Sequence, residues 1–188
     1  MSSAAGPARQ RSASVSSTQQ IVLLPDAGPL ITLAYADALD VLLKPGWSVM
    51  LVDMVLNEVT RNQTPTSHKL AAWVSDQQIP VLPTKTFAHF RQVSAESSSP
   101  RSRNLGELAI QETMNDLALG SPTKTGVFLF DDHKIARASF LVPDNCRKVS
   151  TRAFLIFLEH KGLIDSSAEI ERRAVQAGRV FSSLRFPP

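Results

Sequence analysis

The stretch Ile-Val-Leu-Leu-Pro-Asp-Ala-Gly-Pro-Leu-Ile at residues 21–31 decides the fold class. Its first five residues form a short apolar run, and the Asp-Ala-Gly-Pro that follows is typical of a turn, so we expect a buried strand ending there. Apolar residues then recur at helical spacing over residues 30–43. The run Val-Phe-Leu-Phe at residues 127–130, followed by two aspartates and a helical pattern, repeats this arrangement. Short apolar strands that alternate with helices predict an α/β fold with a parallel sheet.

The rest of the chain continues the alternation. A serine-rich polar segment, residues 94–103, is predicted to be a loop. Further strands are predicted at residues 48–52, 79–82 and 147–150, and further helices at 54–61, 68–77, 104–119, 132–140, 151–161 and 168–179. Asn104 is expected to cap the helix that ends at Leu119. In a sheet of this kind ligands bind beyond the carboxyl ends of the strands. Functional residues are therefore expected directly after the strands.

The composition is that of a folded protein. The chain has 188 residues, 43% hydrophobic and 20% charged, with a net charge of +3, which suits one domain of ordinary size. A single cysteine, Cys146, excludes a disulfide framework and a cysteine-based zinc site. No apolar run approaches the roughly 20 residues that a membrane span requires. We expect a soluble, cytoplasmic protein that makes no membrane contact.

The first 20 residues differ from the rest in composition. They contain six serines and almost no large apolar side chain, which leaves too little apolar surface to offset the entropy lost on ordering. We therefore predict a disordered tail over residues 1–20 and one folded domain over residues 21–188. A transit peptide is the alternative for the tail, since it carries Arg9 and Arg11 without the apolar core of a secretion signal.

Acidic residues stand at the ends of two predicted strands. Asp26 follows the first strand directly, and Asp131 and Asp132 follow the most apolar one. Glu107 lies in the first turn of its predicted helix, and Glu58 lies on an otherwise apolar helix. Each acid has an ordinary structural interpretation, as a turn residue, a helix cap, a first-turn acid or a solvated side chain. A parallel sheet brings its strand ends to one edge, however, and this favours a shared site.

A cluster of carboxylates at one edge requires a compensating charge. Carboxylates that converge in one pocket repel each other, and some must take up a proton unless a cation neutralises them. Hard oxygen ligands suit Mg²⁺ or Mn²⁺, which bind through a few carboxylates together with water and substrate phosphate. Such an ion activates water and stabilises charge on a phosphate oxygen. The acids therefore indicate hydrolysis of a phosphodiester as the reaction class.

Four short segments make the prediction more specific. They are Asp-Ala-Gly-Pro-Leu-Ile at 26–31, Val-Leu-Asn-Glu-Val at 55–59, Gly-Glu-Leu-Ala-Ile at 106–110 and Phe-Asp-Asp-His-Lys-Ile-Ala-Arg at 130–137. In this order they resemble the PIN-domain family, and most closely the prokaryotic branch that includes VapC-type toxin ribonucleases. Val-Ser-Thr at 149–151 and Lys-Gly-Leu-Ile at 161–164 agree with the end of such a domain, so the resemblance covers nearly all of the folded chain.

The resemblance implies a three-layer α/β/α fold with a parallel sheet of about five strands. It also implies a metal-dependent ribonuclease whose acids, carried over by position, are Asp26, Glu58, Glu107 and one or both of Asp131 and Asp132. Asp26, Glu107 and Asp131 or Asp132 would hold Mg²⁺ or Mn²⁺, and Glu58 would complete the acidic pocket or orient water.

One residue departs from the family pattern. The family often has Thr or Ser at the end of the strand that precedes the last acid, whereas this chain has Phe130 there. Ser150 and Thr151, which follow the last predicted strand, are alternative sources of the missing hydroxyl.

The resemblance also implies partners. They are an RNA substrate, an antitoxin protein and a second copy of the chain, for which the apolar faces of the helices at 30–43 and 54–77 are available. Because an acidic pocket repels RNA, basic residues are expected around it. The candidates flank the acids in sequence: Arg101, Arg103, Lys134 and Arg137. Each is equally compatible with an ordinary solvated surface, and Arg137 with an ion pair that orients an acid.

Two other functions compete with a toxin ribonuclease. One is a PIN-like module that binds RNA or protein without cleaving it. The other is an unrelated α/β phosphohydrolase in which Asp26 becomes phosphorylated. That enzyme needs a second aspartate two residues after the first, and Gly28 occupies this position. The complete set of acids favours the nuclease over the non-cleaving module, and Gly28 counts against the phosphohydrolase.

Overall fold

A parallel sheet flanked by helices forms the centre of the protein, in a three-layer α/β/α arrangement. The computed structural model describes residues 20–96, 104–131 and 142–180. The strands are β1 (Ile21–Pro25), β2 (Ser48–Val49), β3 (Leu51–Val52), β4 (Val81–Leu82), β5 (Thr125–Phe130) and β6 (Cys146–Ser150). The helices are α1 (Ala27–Tyr35), α2 (Asp53–Thr60), α3 (Pro65–Asp76), α4 (Lys85–Glu96), α5 (Leu105–Gly120), α6 (Thr151–His160) and α7 (Ser167–Gln176), with a 3₁₀ turn at Leu39–Leu42.

The main sheet has four parallel strands in the order β2-β1-β5-β6. A separate parallel pair, β3 and β4, extends it, because the chain passes from β2 to β3 through Met50, whose N–H still donates to Leu23 of β1. The sheet of about five strands predicted from the sequence is thus four strands and a two-stranded extension. Pro25 pairs with Leu129, and Phe130 pairs with Ser150. The carboxyl ends of β1, β5 and β6 therefore lie side by side.

The apolar strands are buried on both sides. Leu23, Leu24, Phe128 and Leu129 are at most 1% exposed, as expected for strands covered by helices on both faces. Helix α1 begins directly after β1, and its Pro29 lies in the first turn, where a missing N–H removes no helical hydrogen bond. Strand β1 and helix α1 therefore contribute buried residues to the hydrophobic core.

The apolar helix faces that were predicted to bind a second copy pack largely against the core of the same chain. Apolar residues of the segments 30–43 and 54–77, including Leu30, Leu33, Met54 and Leu70, are fully buried in the core. These residues are therefore not available to a second copy, and the homodimer stays a prediction without a surface assigned to it.

One helix was not predicted from the sequence. Helix α4 includes residues 94–96, which were expected to begin a loop. None of its side chains is fully buried, but Phe87 and Phe90 pack against the core as partly buried residues. The Thr84 hydroxyl caps the first turn locally by accepting a hydrogen bond from the Phe87 N–H at 3.1 Å. The Glu112 carboxylate of α5 also accepts hydrogen bonds from the backbone N–H groups of Lys85 and Thr86 at 2.7 and 3.0 Å, and this distant contact leaves no local sequence signal.

No helix in the described part of the chain combines the length and the apolar character needed to cross a membrane. Three predicted segments lie wholly or partly outside the described residues. They are residues 1–19 of the tail, residues 97–103 of the loop and the helix at 132–140.

Candidate active site

Asp26 lies in the interior, at the end of β1. Its residue surface is 0% exposed, and its backbone N–H donates to the carbonyl oxygen of Leu129 at 2.8 Å, which fixes it against β5. It precedes α1 in extended backbone conformation, but its side chain does not cap the helix. Among the described residues its Oδ1 atom accepts no hydrogen bond, while the residue takes part in other interactions. The carboxylate is therefore not explained as a helix cap.

Asp131 directly follows β5 and is 4% exposed. Its carboxylate lies against the first turn of α1: a Cβ atom added to Gly28 would be 2.5 Å from Asp131 Oδ2 and 2.7 Å from its Cγ. Any larger residue at position 28 would displace this side chain. The glycine of Asp-Ala-Gly-Pro thus makes room for the second acid. We call Asp26 and Asp131 the strand-end pair.

Both oxygens of the Asp131 carboxylate have partners. The Thr151 hydroxyl lies 3.1 Å from Oδ1 and 3.2 Å from the carbonyl oxygen of Phe130, so its single hydrogen is shared between them. The Arg179 guanidinium donates through Nη2 to Oδ2 at 2.8 Å. Of the two alternative hydroxyls, Thr151 therefore contacts the acid, whereas Ser150 accepts a hydrogen bond from Ala153 N–H at the start of α6.

Glu58 and Glu107 lie where α2 meets the start of α5; we call them the helix-end pair. Glu58 Oε1 accepts a hydrogen bond from the N–H of Gly106 at 3.2 Å. A Cβ atom added to Gly106 would be 2.6 Å from Glu58 Oε2, so glycine permits this close approach. Glu107 follows immediately, half-buried in the first turn. Asn104, expected to cap this helix, has φ +64° and makes no side-chain cap; Glu58 provides the acceptor.

The described acids do not form a complete metal-binding cluster. Among residues 20–96, 104–131 and 142–180, no group of three or more His, Cys, Asp or Glu side chains is arranged to hold a metal ion. The donor chemistry of the strand-end pair nevertheless fits Mg²⁺ or Mn²⁺, because its carboxylates, together with the nearby Thr151 hydroxyl, are hard oxygen ligands. The strand-end pair thus contains two of the predicted ligands, and the metal site stays a prediction.

Several predicted site residues lie outside the described parts of the chain. They are the remaining candidate acid and the four basic residues expected to contact RNA: Asp132, Arg101, Arg103, Lys134 and Arg137.

Arg179 is a site residue that sequence reasoning missed. It is 48 positions from Asp131 and follows the last described helix, where a basic residue is usually assigned to the surface. Gly178, the residue before it, was the available signal, since glycine directly after a helix fixes the direction in which the next residue leaves.

Neither a scan of protein-family models nor a search of curated proteins gives a match for this sequence. The resemblance to PIN domains therefore rests on the four sequence segments and their order.

Proposed function

We propose that this protein is a metal-dependent ribonuclease that hydrolyses RNA phosphodiester bonds. The observation that carries the proposal is the strand-end pair, two buried carboxylates that follow adjacent parallel strands. Carboxylates are costly to bury unless a cation or hydrogen bonds compensate them, and the carboxyl edge of such a sheet is where ligands bind. A cation-binding role accounts for both features.

The proposed ligands of Mg²⁺ or Mn²⁺ are Asp26, Glu107 and either Asp131 or Asp132. When bound, the ion supplies an activated water and offsets negative charge on a phosphate oxygen. Thr151 restricts the rotation of the Asp131 carboxylate through its hydroxyl. Glu58 accepts the N–H of Gly106 and so fixes the turn that carries Glu107. These two residues therefore act by positioning acids.

Substrate binding is assigned to basic residues around the acids. A polyanion approaches an acidic pocket only where Lys and Arg neutralise its phosphates. We propose Arg101, Arg103, Lys134 and Arg137 for this role, since they flank Glu107 and Asp132 in sequence. Cleavage should then weaken steeply as the salt concentration rises.

The central experiment measures cleavage of single-stranded RNA by the full-length chain. We expect cleavage with Mn²⁺ or Mg²⁺, and its loss with EDTA or in Asp26→Asn, because the amide removes one anionic ligand. Asp37→Asn is the matched control: Asp37 lies just beyond the other end of α1 and makes an exposed ion pair with Lys69. It should cleave like the wild type. Cleavage that persists in EDTA and in Asp26→Asn would exclude the metal site.

We further propose that the nuclease is the toxin of a toxin–antitoxin pair, as in the VapC-type proteins that the sequence resembles. Expression of the chain should then arrest growth, and Asp26→Asn should relieve the arrest. An antitoxin should copurify with the chain and suppress cleavage. Harmless expression of an active nuclease would instead indicate a different biological role for the same chemistry.

A PIN-like binding module without activity is the second candidate. The ion pair between Arg179 and Asp131 favours it, because a guanidinium already compensates one of the buried acids. A folded protein that retains RNA under all metal conditions without cleaving it would support this alternative.

A further inference from the structure

Arg179 reaches the strand-end pair because the chain turns sharply after α7. Gly178 has φ +101°, a conformation that side chains disfavour. Its N–H donates to Val175 at 3.0 Å, and the N–H of Arg179 donates to Ala174 at 2.9 Å. This is the hydrogen-bond pattern of a Schellman motif, which commonly ends helices with a glycine. The backbone that carries Arg179 is therefore fixed.

The guanidinium of Arg179 is held at two points. Its Nε donates to the hydroxyl of Thr32 on α1 at 2.9 Å, and its Nη2 donates to Asp131 Oδ2 at 2.8 Å. Thr32 is 1% exposed, and the side chains of Arg179 and Asp131 are 18% and 5% exposed. This is a largely buried ion pair with an oriented donor, unlike the solvated pairs that contribute little.

We propose that Arg179 is an internal counter-ion of the strand-end pair and competes there with a divalent cation. This inference rests on the proposed metal site. The guanidinium compensates the Asp131 carboxylate through Nη2. A divalent ion bound at the same edge is repelled by the positive charge of Arg179 and competes with it for the Asp131 carboxylate. Metal binding and the contact between Arg179 and Asp131 therefore weaken each other, because such coupling is reciprocal.

The same coupling links the acidic site to the turn after α7. Arg179 joins this turn to α1 and to the end of β5. Metal at the carboxyl edge would release this connection and loosen the turn after α7. The conformation of the turn after α7 would therefore depend on whether metal is bound at the acidic site.

The experiment measures Mn²⁺ binding by the full-length chain, using the electron paramagnetic resonance signal of free Mn²⁺, together with thermal unfolding in EDTA and in Mn²⁺. We expect Arg179→Gln to bind Mn²⁺ about tenfold more tightly than the wild type, which corresponds to about 1.4 kcal/mol. In EDTA it should unfold at a lower temperature, and Mn²⁺ should raise that temperature more than it does in the wild type.

Arg172→Gln, on the helix that precedes Arg179, is the matched control. Arg172 makes an exposed ion pair with Glu169 at 2.6 Å, so its loss changes the total charge equally without touching Asp131. Its Mn²⁺ affinity should equal that of the wild type. Thr32→Val provides a second test that keeps the guanidinium: it removes the contact with Nε, and we expect an intermediate gain in Mn²⁺ affinity.

Unchanged or weaker Mn²⁺ binding by Arg179→Gln would overturn the counter-ion proposal, and so would an equal gain in Arg172→Gln. RNA cleavage by the wild type separates this result from the proposed function. A wild type that cleaves RNA, with no gain in Mn²⁺ affinity for Arg179→Gln, leaves the nuclease standing without the counter-ion. Tighter Mn²⁺ binding by a chain that never cleaves RNA leaves the counter-ion standing without the nuclease.

Discussion

The strand-end pair and the helix-end pair contain the same functional group in opposite surroundings. Asp26 and Asp131 are buried at the ends of adjacent strands, and Asp131 is contacted by a guanidinium and a hydroxyl from distant parts of the chain. Glu58 and Glu107 are half-buried, and Glu58 accepts a backbone N–H at the start of a helix. Both pairs lie beside a glycine into whose Cβ position a carboxylate oxygen projects.

The difference lies in how easily each carboxylate can move. Asp131 has a short side chain, and both of its carboxylate oxygens are hydrogen-bonded, so it has little freedom to move. A substitution next to it is therefore expected to disturb the edge of the sheet. Glu58 has a longer, partly solvated side chain that can rearrange. A carboxylate held in this way is suited to a fixed electrostatic task, whereas a flexible one is sufficient to cap a helix.

The largest effect is expected from Asp131→Ala. It would leave the largely buried guanidinium of Arg179 without its carboxylate, a change that typically costs about 3–5 kcal/mol. Glu58→Ala, which removes a helix-capping acceptor, should cost only about 1 kcal/mol. Urea denaturation measures both free energies of unfolding. Equal losses of unfolding free energy in the two variants would show that Asp131 is not held more rigidly than Glu58.

A smaller effect is expected from alanine at the two glycines. Gly28→Ala places a methyl group 2.5 Å from the held carboxylate of Asp131, and such overpacking costs about 1–3 kcal/mol. Gly106→Ala meets the end of the Glu58 side chain instead. That side chain can move, and alanine favours the helix by about 0.5–1 kcal/mol, so the net change should be close to zero. A Gly106→Ala variant as unstable as Gly28→Ala would contradict this account.

The smallest effect concerns a second helix-capping carboxylate, Glu112. Burial raises the pKa of Glu112, but hydrogen bonds from Lys85 and Thr86 outweigh burial and leave the pKa below its ordinary value. Because the pKa is lower in the folded protein, Glu112 stabilises the fold above the pKa of the unfolded chain. This contribution is lost as the pH falls through the folded pKa.

Glu112→Gln should therefore flatten the loss of stability below about pH 4.5, the ordinary pKa of Glu. The measurement is the urea midpoint over a pH series, with Glu96→Gln at the exposed end of α4 as the control. A pH profile of Glu112→Gln identical to that of the wild type would show that the cap carries no stabilising charge.

Most of the framework could be predicted from local patterns. The apolar runs around Leu23 and Phe128 identified the central strands because parallel strands buried on both faces are apolar throughout. The α/β class and the positions of Asp26 and Asp131 at strand ends followed from the same runs. Thr151 was one of two residues expected to supply a hydroxyl, and its contact with Asp131 is confirmed.

The predictions that missed depended on distant contacts. The first turn of helix α4 is capped in part by Glu112 from another helix. Asn104 was expected to cap α5, but Glu58 does so across 48 positions of sequence. The metal site, the RNA substrate and the toxin role stay predictions.

By itself, the sequence determined the α/β class, the central strands and the acids at their ends, since hydrophobic periodicity and residue type are local properties. Only the tertiary structure decided which acids lie where, what occupies the space above Gly28 and Gly106, and which cation compensates Asp131. Arg179 illustrates the reason. An ion pair forms wherever folding brings two charges together, and the pairing of residues 48 positions apart is a property of the folded chain.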